Sequence, residues 1–193
     1  MRYRVEQKYI ITEDKLAYLK YKLEQVMEYD KHAEDGIYTI RSLYFDDRYD
    51  SCLESNERGD DYREKYRIRT YNNEKDKIYL EIKGKEVGYT RKDKEMLELQ
   101  ECVALMERKN WCFKETDGMV KKKLYLLMMT TGMQPVQIVE YDRIPFVEAK
   151  GNVRITFDKN IHMSDVIDKL PFKLTKDQEK SIFDMIVFGF FKM

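Results

Sequence analysis

Lys65, Arg67 and Arg69 stand two residues apart within the run Arg63-Glu64-Lys65-Tyr66-Arg67-Ile68-Arg69-Thr70-Tyr71. Side chains alternate faces along a strand, so these three cations share one face while Tyr66, Ile68 and Thr70 take the other. A buried ion without a partner costs several kcal/mol, so such a stripe must face bulk water, pair with carboxylates, or line a wet cavity. In the last case its chemistry would be the gripping of an anion.

The same spacing recurs. Arg4, Glu6 and Lys8 alternate in one segment and Glu81, Lys83 and Lys85 in a second, where Leu80 and Ile82 take the opposite face. In a third, Arg154, Thr156 and Asp158 alternate with Val153, Ile155 and Phe157. Two arrangements satisfy this pattern. One is a barrel with a hydrated, charged interior and an apolar exterior covered by helices. The other is a set of two-layer sheets whose charged faces are simply solvated.

The elements that would carry these residues follow from the chain in order. Residues 2–11 form a first strand, and Thr12 caps a helix with Glu13 and Asp14 in its first turn. Leu16, Leu19, Leu23, Val26 and Met27 continue that helix to about Tyr29 as an apolar stripe, which reads as core. Residues 38–46 form a strand ending at Asp46-Asp47; this acidic pair fits either a strand-ending turn or a metal, and residues 48–56 a short helix. Residues 62–71 and 77–84 pair as a hairpin through residues 72–76. Residues 84–89 make a glycine-marked turn without P-loop spacing, and residues 90–94 either a basic strand edge or an exposed charged turn. Two helices follow, over about 97–109 and 117–131, the second stopping at Gly132. Lys121-Lys122-Lys123 on it reads as a solvated face. Strands are expected at 135–147, where Val139, Tyr141 and Arg143 share a parity that requires a bulge or mixed face, and at 152–158. Beyond these, residues 164–173 read as irregular and 175–185 as helical. The apolar stretch over 182–191 is too short to span a bilayer as a helix and would dock on the barrel, add a strand, or mark an interface.

Composition narrows the class. The 193 residues fit a single domain, and 36 basic against 36 acidic residues leave no net charge to favour nucleic acid. The basic stripes are moreover interleaved with carboxylates rather than gathered into one patch. Three cysteines, Cys52, Cys102 and Cys112, lack metal-site spacing and are odd in number, which points to a reducing, cytoplasmic setting. The N-terminus is charged, without the apolar centre of a signal peptide.

With these segments laid out, the sequence resembles the polyphosphate polymerase domain of the vacuolar transporter chaperone (VTC) type, within the triphosphate tunnel metalloenzyme superfamily. The matching pieces are Arg4-x-Glu6-x-Lys8-Tyr9, Ser42-Leu43-Tyr44-Phe45-Asp46, Lys65-x-Arg67-x-Arg69-x-Tyr71, Glu81-x-Lys83, Tyr141-x-Arg143 and Val153-Arg154-Ile155-Thr156-Phe157-Asp158, over about residues 2–160. The resemblance implies an α+β fold: an antiparallel β tunnel barrel of the triphosphate tunnel type, with a charged interior and flanking helices. It implies phosphate contacts from Lys8, Arg67, Arg69, Lys83, Lys92, Arg143 and Arg154, with Arg91 and Lys94 as competitors for the place of Lys92. Glu6 and Glu81 would offset the cations or hold a metal, Mn²⁺ or Mg²⁺. Members of this type transfer the terminal phosphoryl group of ATP to a polyphosphate chain, a reaction that depends on positioning and charge neutralisation and needs no protein nucleophile.

The implied partners are ATP and inorganic polyphosphate, not nucleic acid. The implied setting is cytoplasmic, with room for association with a membrane through a partner protein. One departure stands out: family members close the barrel with a Glu-x-Lys strand that supplies a metal-binding glutamate. Here the corresponding region reads Leu170-Pro171-Phe172-Lys173 before the apolar tail, so the chain reads as a single domain over 1–193 with a divergent or truncated tail over 160–193. An incompletely closed barrel leaves an unpaired edge, which the tail or a second copy of the chain could fill, giving a homo-oligomer through the edge or the tail. Three functions therefore stand: a polyphosphate polymerase, a non-catalytic polyphosphate or nucleotide binding module, and a triphosphate hydrolase.

Overall fold

The computed structural model describes residues 5–109, 114–164, 180–181 and 186–192. Strands β1 (Val5–Ile11), β2 (Glu28–Tyr29), β3 (Tyr38–Asp46), β4 (Tyr62–Tyr71), β5 (Ile78–Glu86), β6 (Tyr89–Leu97), β7 (Gln134–Glu148), β8 (Val153–Ser164), β9 (Lys180–Ser181) and β10 (Ile186–Lys192) form one sheet. Helices α1 (Glu13–Leu23), α2 (Ser51–Glu57), α3 (Leu99–Met106) and α4 (Met119–Thr130) flank it. The order β1-β10-β8-β7-β3-β4-β5-β6 is antiparallel throughout. Its two edges, β1 and β6, come near each other without forming a ladder, so the sheet curls into an open barrel.

Alternation decides which side is which. Leu43 and Phe45 of β3, Tyr66 and Ile68 of β4, and Ile78, Leu80 and Ile82 of β5 point outward. There they pack with Cys102 and Leu105 of α3 and with Val120 and Leu124 of α4. A second outer cluster joins Ile144, Phe146, Ile155 and Phe157 to Ile11 and to Leu16, Leu19 and Leu23. The helices thus shield the apolar outside, the driving force being removal of those side chains from water, and the polar residues of the same strands are left to the concave side. The odd-parity residues Val139, Tyr141 and Arg143 of β7 lie opposite Ser42, Ile40 and Tyr38 in unbroken register, so plain alternation brings them to that side as a mixed face and no bulge is needed.

Several expectations change. α1 stops at Leu23, whose carbonyl accepts the N–H groups of Val26 and Met27, and the chain turns so that Glu28 and Tyr29 pair with Val147 and Phe146. Tyr29 then lies 4.6 Å, ring to ring, from Phe146, while Val26 is left exposed. The lysine run on α4 is not a solvated face. Lys121 is buried and donates to both oxygens of Glu101 at 2.8 and 2.9 Å, Lys123 pairs with Glu64 at 2.6 Å, and only Lys122 is exposed. Residues 153–164 form one strand, so Ser164 is not irregular, and Lys180–Ser181 are strand rather than helix; the rest of the helix expected over 175–185 lies outside the described residues. The apolar tail supplies β10, which inserts between β1 and β8.

Asp46 and Asp47 settle as the turn that starts α2. Asp46 accepts the N–H groups of Cys52 at 2.9 Å and Leu53 at 3.0 Å, and Asp47 accepts those of Tyr49 at 2.9 Å and Ser51 at 3.2 Å. We expect Asp46→Ala to lower stability by about 1–2 kcal/mol, the worth of a lost helix cap, measured as a shift in the urea midpoint.

Candidate functional site

The register of the strands gathers the inward side chains. Arg67 lies opposite Glu81 and Tyr44, Arg69 opposite Ser42, and Lys83 opposite both Lys65 and Lys92. The side chains meet accordingly. Arg67 donates to one Glu81 oxygen from Nε at 2.9 Å and Nη2 at 2.8 Å, Lys92 Nζ reaches the other at 2.5 Å, and Arg69 Nε stands 3.9 Å away. Arg67 Nη1 donates to the Tyr44 hydroxyl at 3.2 Å, and Arg69 donates to Ser42 at 3.1 Å and to Tyr141 at 3.3 Å. Glu81, 1% exposed, is therefore the internal counter-ion of three cations. Burial alone would raise its carboxyl, but Arg67, Arg69 and Lys92 pull it down to about 2.

Tyr141 links this cluster to a second, since Arg143 also donates to its hydroxyl, at 3.2 Å. Arg143 grips Asp158 with two bonds of 2.6 Å, and Arg154 holds Asp30 at 2.9 Å and the Tyr38 hydroxyl at 2.8 Å. At this end the cations are matched by carboxylates.

The other end differs. A cavity of about 380 Å³ opens between β1, α2, β4, β5 and β6, lined by Lys8, Arg63, Lys65, Arg67, Lys83 and Lys85 together with Tyr44, Asn56 and Thr90. No carboxylate lines it among the described residues. Burial, and then Lys8, Arg63 and Arg67, lower the Lys65 ammonium below its ordinary range, with Tyr44 opposing. An anion placed there would relieve this repulsion.

Of the seven expected phosphate contacts, Lys8, Arg67 and Lys83 meet at this cavity; Arg69 and Lys92 stand behind it around Glu81; Arg143 and Arg154 form the paired cluster. Side-chain contacts separate the competitors on β6, parity setting aside only Arg91 because Lys94 shares the parity of Lys92. Lys92 reaches Glu81, Arg91 lies on the outer side with Glu64, Glu86 and Asp93, and Lys94 covers the Tyr79 ring at 4.4 Å. Lys65, Lys85, Arg63 and Tyr44 were absent from the expected set. Lys65 and Lys85 share the parity of Arg67 and Lys83, which was the signal available.

Of the two expected metal carboxylates, only Glu81 has a described side chain. Glu81 has both oxygens engaged by cations, the side chain of Glu6 lies outside the described residues, and no three His, Cys, Asp or Glu side chains group suitably among the described ones.

Charge in the passage depends on pH. Burial lowers the Lys92 ammonium to about 8, with Glu81 opposing and Arg69 and Arg67 assisting. Burial would raise the Tyr44 phenol, but Arg67, Arg69 and Lys65 outweigh it and bring it to about 8. A bound polyanion favours the protonated form of both groups, so binding takes up protons and its affinity is full below pH 8 and lost above. We expect the affinity for long-chain polyphosphate, whose internal groups keep their charge, to fall about tenfold between pH 7 and pH 9; a flat profile by calorimetry would contradict this.

Comparison with known proteins gives three results. The family model described as "VTC domain" matches residues 3–188. No curated protein matches the chain. Among solved structures, a Bacillus halodurans protein described as a "putative adenylate cyclase" superposes with a TM-score of 0.59 at 14% identity, covering 97% of this chain and 79% of that one. A conserved hypothetical protein from Pyrococcus furiosus gives 0.50 at 12% identity, covering 96% and 77%. At such identities these likenesses establish the tunnel-type fold. Among the described residues no helix is long and apolar enough to cross a membrane.

Proposed function

The chain belongs to the VTC domain family, and from that premise we propose that its basic passage binds linked phosphates, as ATP or inorganic polyphosphate, and transfers the terminal phosphoryl group of ATP to a polyphosphate chain. The observation that supports this best is the cavity lined by six cations from three strands and no described carboxylate. Linked phosphates carry one negative charge on each internal phosphate group, and a row of guanidinium and ammonium groups neutralises them along their length. Phosphoryl transfer asks for little more from a protein than in-line positioning and charge stabilisation. Mn²⁺ or Mg²⁺ enters this reading through the family resemblance alone, and no step is assigned to it. The setting we propose is cytoplasmic, with a membrane-bound protein as a candidate receiver of product.

A second reading, a binding module without turnover, is favoured by one feature. The strand that fills the gap beside β8 places Val187, Gly189 and Phe191 in register with Asp158, Thr156 and Arg154, so no carboxylate stands there. Incubation with ATP and Mn²⁺ separates the readings. Growth of a polyphosphate chain supports transfer, release of phosphate alone indicates hydrolysis, and tight binding with neither product supports the module. Failure to bind tripolyphosphate would overturn all three.

A further inference from the structure

Arg143 and Arg154 stand on the same concave face as the cationic cavity, yet their charges are already taken. Arg143 lies opposite Asp158 in the register of β7 and β8 and holds it with two bonds of 2.6 Å. Arg154 holds one oxygen of Asp30 at 2.9 Å. Asp30 is fixed in place from the loop after β2: its N–H donates to the Pro145 carbonyl at 3.0 Å, and its other carboxylate oxygen accepts the His32 N–H at 3.0 Å. None of the four side chains is more than 26% exposed, so these pairs are screened far less than ion pairs at a surface.

The cavity and the paired cluster adjoin. Arg69, beside Glu81, and Arg143 donate to the same hydroxyl, that of Tyr141, at 3.3 and 3.2 Å. A phosphate chain that fills the cavity and continues past Arg67 and Arg69 therefore comes next to Arg143. The Nε and Nη2 edge of that guanidinium is the one Asp158 occupies, and such an edge grips one carboxylate or one phosphate at a time. A long chain gains Arg143 and Arg154 only by displacing Asp158 and Asp30, and it is repelled by both until it does. A short chain, neutralised by the six cations of the cavity, never meets this competition.

We propose that Asp158 and Asp30 are specificity-determining residues for chain length: as internal competitors for Arg143 and Arg154, they hold down the affinity for chains that reach beyond the cavity. The inference rests on the phosphate-binding reading above and concerns only the choice between short and long chains. Tripolyphosphate and long-chain polyphosphate are each titrated into the full chain and into Asp158→Asn, Asp30→Asn and Glu140→Gln, with the thermal midpoint of each protein recorded. Asparagine keeps the shape of aspartate and removes its charge. Glu140 pairs with Arg41 on the outer side, so its variant controls for overall charge. Asp30 lies in a loop and carries the test alone should Asp158→Asn not fold. The expected result is a rise in long-chain affinity of about tenfold for Asp158→Asn and about threefold to fivefold for Asp30→Asn. Tripolyphosphate affinity stays within twofold of wild type in both, and Glu140→Gln changes neither ligand by more than twofold. A long-chain affinity that is unchanged or lower in the folded aspartate variants, equal gains for the two ligands, or an equal gain from Glu140→Gln would overturn the length selection and leave the phosphate passage standing. Absence of tripolyphosphate binding by the wild-type chain would overturn the passage and the length selection with it.

Discussion

Glu81→Gln should lose about 3–5 kcal/mol of stability in anion-free buffer and bind tripolyphosphate more tightly than the wild type. The side chain is 1% exposed and keeps its volume in the exchange, so packing changes little. What changes is charge. Arg67, Arg69 and Lys92 would remain in place around a neutral amide, and three cations without a counter-ion, the first two of them buried, repel one another. A phosphate chain in the adjoining cavity would then supply the missing negative charge. At a ligand concentration about 100 times Kd, binding should return roughly 2.7 kcal/mol, seen as recovery of the thermal midpoint. Loss of stability together with loss of binding would instead make Glu81 a mere packing and pairing residue.

The second large effect concerns Lys65 and Lys83, which face each other across β4 and β5 at the cavity. A charge-assisted hydrogen bond is worth about 1.5–3 kcal/mol, so Lys65→Ala and Lys83→Ala should each weaken tripolyphosphate binding at least tenfold. The stability effect of Lys65→Ala carries an opposite sign. Burial and its neighbours Lys8, Arg63 and Arg67 disfavour the charge on Lys65, so its removal should leave the unliganded protein as stable as before or slightly more so. Arg67→Ala is a poorer probe, because it also strips Glu81 of its closest partner. Arg41→Ala serves as the control: Arg41 pairs with Glu140, away from the cavity lining, and its loss should change affinity less than twofold. Comparable losses from Arg41 and Lys65 would mean that the anion senses only overall charge.

How much of this could be read beforehand depends on the range of the interaction involved. Two-residue alternation is a property of a single strand, so the inward stripe of β4 and the outward Ile68 and Leu80 were legible from residue types alone. The cap formed by Asp46 and Asp47 was legible as a turn for the same reason, since it spans only seven residues. The role of Glu81 was not. Its charge matches that of any surface glutamate, and only the pairing of β5 with both β4 and β6 brings Arg67 and Lys92 to it. Lys121 failed similarly: a lysine run on a helix is usually solvated, and its burial follows from Glu101 of α3, twenty residues away, packing against α4. The end of α1 was misplaced because Val26 and Met27 extend a helical spacing that β2 overrides by pairing with β7. Lys65 shares the parity of Arg67 and Arg69, so alternation alone marks it as inward, whereas the family's phosphate-binding positions do not include it.

A crystal structure of the protein with tripolyphosphate tests the central claim most directly, because it locates the phosphorus atoms. The account predicts them inside the curled sheet, within hydrogen-bonding distance of Lys65, Lys83 and Arg67, with Glu81 still behind them. Phosphates seated on the helix-covered outside, beside Arg41 or the α4 lysines, with the interior cavity left to water, would contradict it.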